Sequence, residues 1–355
     1  MTTPGWALEV ARDDLTRTSL VEADVPEPAD GEAVLRVDRV GVTANNVTYA
    51  VLGDALRYWD FFPAGDGAGR VPLWGFADVV ASRADGVERG QRVYGYLPPA
   101  SHLRVRPERA GAHGFRDGSA HRAPLPAVYN SYLLTTAATA PAAEAGREDL
   151  QVLYRPLFLT SFLLADQLAG QDADVVVLSS ASSKTAYGTA FLLRGGAAEV
   201  VGLTSPGNAG FTASLGCYDR VLTYDDVAGL GAVPTAYVDL AGSASLRQRV
   251  HEHLGERLVL DLVVGVTHQD TSRPAALPGT RPTVFFAPDR VAARTADWGR
   301  EGLDRRVGEA WARFAPAAEA WVDVTVASGP EGLRDTWLAV LGGGGDPRTG
   351  HVVQL

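Results

Sequence analysis

The chain has 355 residues, of which 46% are hydrophobic, and a formal net charge of −10. This length is sufficient for two domains, and the composition is that of an ordinary globular protein. The negative charge, with no basic run and no aromatic residues interleaved with basic ones, excludes a nucleic-acid-binding surface.

The cysteine content and the hydropathy pattern bear on cellular location. Cys217 is the single cysteine, which excludes an internal disulfide and a multi-cysteine metal site and fits a reducing compartment. The first 14 residues contain neither a charged n-region nor an apolar h-region, and no apolar run reaches membrane-spanning length. We therefore expect a cytoplasmic protein without membrane contact.

The first third of the chain has the features of a β-rich domain. Glu32–Val37 and Ala77–Ala81 are short, rich in β-branched residues and bounded by Gly, Pro and Asp. Gly86–Pro98 offers a glycine-containing turn followed by a strand with alternating aromatic residues.

The pattern changes at about Pro156 to an alternation of helices and strands. The apolar spacing of Pro156–Gly170 predicts a helix, and Asp174–Leu178 is apolar throughout, as is a strand covered on both faces of a parallel sheet. Further strands are predicted at Glu199–Leu203, Arg220–Thr223, Ala236–Leu240, Leu258–Val266 and Thr283–Phe286, and helices up to about Arg194, near Ala209–Leu215 and around Leu303–Phe314. This β-α order predicts a doubly wound sheet. The tail offers a strand at Trp321–Val326, a helix at Glu331–Leu341 and a last strand at His351–Leu355.

Lys184 is the only lysine, and the other 31 cationic side chains are arginines. It lies between an apolar run and a predicted helix, where helix amides attract anions. An ammonium suits a phosphate oxygen, a ribose hydroxyl or a proton-transfer position better than a planar guanidinium does. The alternative is a stray lysine in an arginine-biased chain.

Four segments resemble the medium-chain dehydrogenase/reductase superfamily. Residues 25–53 resemble its opening strand and active-site turn, and residues 75–96 a glycine-containing segment that follows. Residues 175–188 lie where the family has its dinucleotide turn, and residues 202–226 resemble the next strand and its ribose-binding end. The branch resembled is that of quinone oxidoreductases and enoyl reductases, within a family without assigned function.

The resemblance implies an α/β fold with two domains. A β-rich, GroES-like substrate and catalytic domain would comprise residues 1–155 and 321–355. A doubly wound, NADP-binding Rossmann domain would comprise residues 156–320.

The chain departs from this family in two places. It lacks the Cys and His pattern of the catalytic zinc site and the four-cysteine lobe, so we predict no metal. Ser179, Ser182 and Thr185 stand where glycines let the backbone approach a pyrophosphate. Their hydroxyls could donate to phosphate beside Lys184, or serines could cap the helix, and both could hold. A nucleoside-triphosphate P-loop is excluded because the glycine before the lysine is missing.

The end of the predicted strand Glu199–Leu203 indicates the cofactor. An acidic residue there would bind the ribose 2′-hydroxyl and repel a 2′-phosphate, but Thr204, Ser205 and Asn208 follow instead. NADP(H) is therefore favoured. The resemblance implies that Tyr224 reaches the 2′-phosphate and that further residues line the rest of the cofactor. The complete set of predicted cofactor-binding residues is Thr160, Ser179, Ser182, Ser183, Lys184, Thr185, Thr204, Ser205, Asn208, Tyr224, Gly242, Gly265, Val266, Thr267 and His268. His268 could instead cap a loop.

Without a metal, hydride transfer to an activated alkene or quinone needs a held cofactor, a donor for the developing oxyanion and a proton source. Candidate catalytic residues are Asn46 and Tyr49, on the turn resembling the active-site entrance next to Asn45, together with Lys184. Tyr58, Trp59 and Phe62, with Phe61, are either substrate-binding or core aromatics. Tyr129, Asn130 and Tyr132 form a second polar aromatic group, for which we expect interdomain packing.

The sequence therefore predicts a zinc-independent, NADP(H)-dependent reductase of a small molecule with an activated double bond or of a quinone. A carbonyl reductase and a cofactor-binding protein with little or no turnover stay open, the latter because the glycine fingerprint is eroded. A homodimer is compatible with the resemblance.

Overall fold

The computed structural model describes residues 4–25, 27–135, 147–265, 277–343 and 345–355. The chain divides into two compact units, Met1–Arg155 with Asp323–Leu355 and Pro156–Val322. Among the described residues, no helix combines the length and the apolarity that crossing a membrane requires.

The helices and strands follow in chain order. The strands are β1 (Gly5–Ala11), β2 (Asp14–Ala23), β3 (Ala33–Val42), β4 (Ala68–Gly69), β5 (Leu73–Ser82), β6 (Arg92–Leu97), β7 (His102–Val105), β8 (Pro107–Gly111), β9 (Gly114–Asp117), β10 (Ser131–Leu134), β11 (Val175–Leu178), β12 (Glu199–Thr204), β13 (Arg220–Thr223), β14 (Thr235–Asp239), β15 (Leu258–Val263), β16 (Thr283–Val284), β17 (Asp323–Ser328) and β18 (Thr349–Gln354). The helices are α1 (Ala44–Val51), α2 (Glu148–Leu168), α3 (Lys184–Leu193), α4 (Ala209–Ser214), α5 (Ala244–Leu254), α6 (Ala287–Trp321) and α7 (Gly329–Gly342).

The first unit is a β-rich fold. A small sheet has the order β2-β1-β4, and a larger one the order β17-β18-β3-β5-β6-β10-β9-β8, with β7 also paired to β3. The pairs are antiparallel apart from β17 with β18. Val and Leu side chains of β3, β5 and β6 meet in one core, as the period of two along a half-buried strand requires.

The second unit is a doubly wound parallel sheet. Its order, β13-β12-β11-β14-β15-β16, is the 3-2-1-4-5-6 order of a dinucleotide-binding fold. All four residues of β11 are buried, which explains why its sequence shows no alternation. In such sheets ligands bind outside the carboxyl ends of the strands, where the strand order reverses. That position lies between β11 and β14.

Most predicted elements are present, and Arg220–Thr223 coincides with β13. Three differ. Helix α2 begins at Glu148, eight residues before Pro156, because the buried stretch Leu150–Tyr154 continues its apolar face. The predicted turn at Asn45–Tyr49 belongs to the short helix α1. Trp321 ends helix α6 and does not begin a strand.

Candidate functional site

The connection from β11 to α3 is a tight turn held by its own backbone. Ser180 adopts a left-handed conformation with φ 50°, a region where glycine is usual. The amide of Ala181 donates to the carbonyl of Leu203, at 3.0 Å. Ser183 is the N-cap of α3, because its hydroxyl accepts a hydrogen bond from the amide of Ala186, at 3.3 Å. Helix capping is therefore one role of these serines.

The hydroxyl of Ser179 is enclosed by the protein. It donates to Asp239 Oδ1 at 2.9 Å and accepts from the amides of Leu240 and Ala241, at 2.9 and 3.1 Å. Ser179 is fully buried, and all of these hydrogen-bond partners lie at the carboxyl end of β14. This corrects the expectation that Ser179 donates directly to a phosphate. Its position instead ties the turn to the neighbouring strand.

Ser182 and Asn208 are brought together by the fold. The Asn208 amide donates to the Ser182 hydroxyl at 3.1 Å, joining the loops that follow β11 and β12. Both side chains are partly exposed. Two predicted cofactor residues from separate parts of the sequence therefore share one edge of the sheet.

Lys184 is the first residue of α3, and its side chain is partly buried. Burial lowers the pKa of this ammonium to about 8. Thr185 follows, and its carbonyl accepts from the Ser161 hydroxyl at 2.9 Å. The hydroxyl of Thr160 donates to the Pro156 carbonyl of its own helix at 3.2 Å, so in this structure it is directed at α2 itself and not at the turn.

The carboxyl end of β12 carries no acid. Thr204 is buried, and Ser205 precedes a short 3₁₀ turn at Pro206–Asn208 without using its hydroxyl as a cap. Tyr224 reaches this region from beyond β13, where its phenol hydrogen-bonds Ser180. Burial raises the pKa of Tyr224, so the phenol is a neutral hydrogen-bonding group at pH 7.

Two predicted glycines lie in the loops after β14 and β15. Gly242 has φ 71°, and its amide donates to Asp239 Oδ1 at 3.0 Å. At Gly265 a Cβ would lie 2.7 Å from the Leu240 carbonyl oxygen, so only glycine fits there. Val266, Thr267 and His268 lie outside the described residues.

In the first unit, seven side chains form one buried group, which we term the tyrosine cluster: Tyr49, Tyr58, Phe61, Phe62, Tyr96, Leu125 and Tyr129. Trp59 does not belong to it. It packs in another core with Val10, Val47 and Trp337. The expectation that Trp59 shares a substrate site with Tyr58 and Phe62 is therefore corrected.

The hydroxyls of the tyrosine cluster have different partners. Tyr49 accepts from Trp74 Nε1 at 3.1 Å, and the hydroxyls of Tyr58 and Tyr129 are 3.3 Å apart. Within the described part of the chain, the buried Tyr96 hydroxyl makes no hydrogen bond. Burial raises the pKa of Tyr49 and Tyr58, so these phenols stay protonated at neutral pH.

Asn46 has a structural role at the start of α1. Its Oδ1 accepts from the Thr43 amide at 2.7 Å, and its Nδ2 donates to the Pro72 carbonyl at 2.8 Å. The side chain is 3% exposed. This corrects its assignment as a polarising group, since both ends of the amide are bound to backbone.

Behind the tyrosine cluster lies a buried arginine that the sequence did not single out. Arg122 pairs with Asp117 at 3.0 Å, and its Nε donates to Asn130 at 3.0 Å. It also donates to the Tyr132 hydroxyl and the Tyr129 carbonyl, at 2.8 and 2.7 Å. Asn130 and Tyr132 thus have hydrogen-bond partners inside the first unit, and the expected interdomain packing stays a prediction. No local pattern marks Arg122, because its partners are assembled by the fold.

Among the described residues, no group of three or more His, Cys, Asp or Glu side chains could hold a metal ion. The absence of zinc stays a prediction, which elemental analysis of the purified protein can test.

Several solved structures are similar to this chain over nearly its whole length. CurA from Vibrio vulnificus, in complex with NADPH, matches with a TM-score of 0.64 and 15% identity over 95% of this chain and 94% of CurA. The complex of Etr1p with NADP and crotonyl-CoA matches with a TM-score of 0.60 and 12% identity, over 99% of this chain and 100% of the other; Etr1p occurs in Candida tropicalis. A proposed NADPH:quinone reductase from Bacillus thuringiensis gives 0.62 and 13%, with complete coverage of both chains.

The fold is therefore that of the medium-chain dehydrogenase/reductases, with a GroES-like and a Rossmann domain. A search of curated proteins finds no match. Residues 40–346 match the model of a protein family of unknown function, DUF2855. The chain belongs to this family.

Proposed function

We propose that the protein is a zinc-independent, NADP(H)-dependent reductase that transfers hydride to an activated double bond or a quinone. The observation that carries the proposal is the edge of the parallel sheet at β11 and β12. There a helix N-terminus, the only lysine and the uncharged Thr204 and Ser205 lie in neighbouring loops.

The residues at this edge fit a phosphorylated dinucleotide. The first amides of α3 lack partners within the helix and favour an anion, and the macrodipole adds to this preference. The hydroxyl of Ser182, the amide of Asn208 and the ammonium of Lys184 are hydrogen-bond groups suited to phosphate oxygens. No carboxylate on Thr204–Asn208 repels a 2′-phosphate. NADPH, when bound, would supply a hydride.

A phenol of the tyrosine cluster is the candidate proton source. The hydroxyls of Tyr58 and Tyr129 form a hydrogen bond. The phenol of Tyr58 would give its proton to the substrate, and the phenolate so formed would accept a hydrogen bond from the Tyr129 hydroxyl until a proton from solvent restores it. Because burial raises the pKa of Tyr58, the group is an acid in its protonated form at neutral pH. Tyr49, whose hydroxyl is oriented by Trp74, is the second candidate donor.

The substrate would present an oxygen conjugated to the reacting bond. The tyrosine cluster contains several phenols, and the Arg122 guanidinium lies 5.2 Å from the centre of the Phe62 ring, which suits a neutral carbonyl or quinone oxygen that gains negative charge during reduction. The names of the solved relatives support this class, since Etr1p was crystallised with crotonyl-CoA and another relative is a proposed quinone reductase.

The test is a pair of measurements on the purified protein. NADPH should quench tryptophan fluorescence at lower concentrations than NADH does, and NADPH should then be oxidised in the presence of enones, 2-enoyl thioesters or quinones. Oxidation with simple aldehydes and ketones alone would indicate a carbonyl reductase. Binding without oxidation by any of these would indicate a cofactor-binding protein.

We also propose a cytoplasmic location, in keeping with the buried free thiol of Cys217. A homodimer stays a prediction, which light scattering tests.

A further inference from the structure

A chain of buried charged groups begins at the predicted cofactor turn and crosses the second unit. Ser179 is hydrogen-bonded to Asp239, which pairs with Arg247, and Arg247 also lies 3.4 Å from Asp261. Asp261 in turn pairs with His251 at 2.8 Å. Asp239, Asp261 and His251 are fully buried. None of the proposed chemistry uses this chain of charges, which we term the buried relay.

The hydrogen bonds of His251 define its protonation state. Its Nε2 lies 2.8 Å from Asp261 Oδ2, and its Nδ1 lies 2.8 Å from the carbonyl oxygen of Pro278. The Pro278 carbonyl only accepts, so Nδ1 donates; when Asp261 is ionised its carboxylate also only accepts, so both ring nitrogens donate. Only the imidazolium has two N–H groups.

The balance of charge leads to the same result. Asp239 and Asp261 bring two negative charges, and Arg247 brings one positive charge. A protonated His251 makes the buried relay neutral, whereas a neutral one would leave a net negative charge away from water, which is costly. The groups facing His251 are Asp261 on β15 and Arg247 on its own helix, with Asp239 and Tyr237 on β14 beyond them.

Asp239 connects this charge to the cofactor edge. Its Oδ1 accepts from Ser179 and from the amides of Ala241 and Gly242, at 2.9, 3.1 and 3.0 Å. One carboxylate thus fixes both the turn after β11 and the loop after β14, on the two sides of the switch point. Hydrogen bonds to a charged acceptor are about twice as strong as neutral ones, so this scaffold depends on Asp239 staying ionised.

We propose that His251 is a buried imidazolium that, through Asp261, Arg247 and Asp239, holds the dinucleotide-binding edge in position, so that cofactor affinity falls when His251 loses its proton. When His251 loses its proton, Asp261 loses one of its two cationic partners and attracts Arg247 more strongly. The Arg247 side chain then shifts away from Asp239. Burial raises the pKa of Asp239, so without Arg247 this carboxyl tends to take up a proton and its bonds to the turn weaken. His251, Arg247 and Asp239 are positioning residues and do not touch the cofactor. The inference rests on the proposed binding of NADP(H).

The pH range follows from the direction of the shift. Burial alone would lower the pKa of His251, but the hydrogen bonds to Asp261 and Pro278 raise it above its ordinary value. A raised folded pKa means that the stabilisation is complete below the unfolded pKa, about 6.5, and is lost as pH rises through the folded pKa.

The experiment compares NADPH dissociation constants of the parent and His251→Gln from pH 6 upward. Both proteins carry Lys184, so its titration cancels in their ratio. We expect the variant to bind about three- to tenfold more weakly at pH 6, and the ratio to approach one at high pH. The matched control is His253→Gln on the same helix, whose exposed side chain contacts the Leu230 carbonyl and is outside the relay. Its ratio to the parent should stay near one throughout.

Two outcomes overturn the inference. A ratio near one at every pH means that the buried relay does not set affinity, and a large ratio independent of pH means that the proton of His251 is irrelevant. If His251→Gln does not fold, the same pH series is measured on Ser179→Ala. This variant removes the hydrogen bond between the turn and Asp239 and leaves the charged groups of the buried relay in place. We expect the same fall in the ratio of dissociation constants with pH, and a ratio that does not change with pH contradicts the inference.

Nitrogen NMR of the labelled parent separates this inference from the proposed function. Two protonated ring nitrogens on His251 at pH 6 support the imidazolium, and a single one overturns it, whether or not NADPH binds. If the parent binds no NADPH at any pH, the proposed function fails and the NMR result still decides the charge state.

Discussion

Lys184 is the first residue of α3, and the partial burial of its side chain disfavours the charged ammonium. Burial lowers its pKa to about 8, so the folded protein is disfavoured while the ammonium is charged, and stability rises with pH between about 8 and the ordinary value of about 10.4. The start of α3 is also where the amides of a helix N-terminus attract an anion.

Replacing Lys184 should therefore separate binding from stability. We expect Lys184→Ala to weaken NADPH binding by about 1–3 kcal/mol and to leave the fold intact. Lys184→Arg should restore binding only in part, because a planar guanidinium needs more room than the Ser182–Thr185 turn leaves. Fluorescence titration and thermal unfolding measure both effects. Parent-like affinity in both variants would make Lys184 a stray lysine.

Ser205 should determine the choice between the two nicotinamide cofactors. An aspartate there would repel a 2′-phosphate, so Ser205→Asp should weaken NADPH binding about ten- to hundredfold and leave NADH binding unchanged or tighter. Aspartate is a good N-cap, so the fold should tolerate the change. Ser214→Asp, an exposed substitution on α4, adds the same charge further along the chain and should have little effect. A similar loss in both variants would contradict a specific contact at Ser205.

The hydroxyl of Tyr58 should act in the chemical step. Tyr58→Phe keeps the ring and removes the bond to Tyr129, and we expect kcat to fall about a hundredfold or more with little change in KM. Tyr96→Phe removes a buried hydroxyl without a hydrogen-bond partner among the described residues, so it should stabilise the protein and preserve kcat. Steady-state kinetics of the two variants, side by side, gives the comparison. Equal kcat in Tyr58→Phe and the parent would remove Tyr58 as the proton donor.

Among the elements, the connection from β9 to β10 depends on a single buried ion pair. Arg122 has the Asp117 carboxylate, the Asn130 amide and the Tyr132 hydroxyl as partners inside the first unit. Arg122→Met leaves the Asp117 charge buried without a cation and should lower the free energy of unfolding by about 3–5 kcal/mol. Urea denaturation measures this loss. A loss below about 1 kcal/mol would mean that Asp117 is compensated elsewhere.

Sequence patterns predicted elements best where one face or both faces are buried over several residues. β11 was found because a parallel sheet covered by helices on both faces gives a compact apolar run. Helix α5 was missed because its apolar face has only a few members, chiefly Leu246, Val250 and Leu254, among charged residues. The N-cap Ser243 was a usable signal for it.

The candidate site was predictable only in part, because its contacts join distant segments. The uncharged end of β12 and the position of Lys184 could be read from local sequence. The bond of Asn208 to Ser182 depends on adjacency in the sheet. The separation of Trp59 from Tyr58 depends on a 3₁₀ turn, which directs consecutive side chains into different cores.

At the scale of the whole molecule, the chain has a known architecture and belongs to a family without an assigned function. The three solved relatives named above are 12–15% identical to it, which is enough to establish the arrangement of strands and not a substrate. The functional argument therefore rests on the chain's own residues at the β11 and β12 edge and in the tyrosine cluster.

The most direct test of the central claim is deuteride transfer from NADPH labelled at C4 of the nicotinamide. The protein is incubated with this cofactor and with an enone or a 2-enoyl thioester, and the product is analysed by mass spectrometry. We predict a saturated product carrying one deuterium on carbon, formed faster from labelled NADPH than from labelled NADH. Unchanged alkene in the presence of bound NADPH, with deuterium appearing only in alcohols made from simple ketones or in no product at all, would contradict the account.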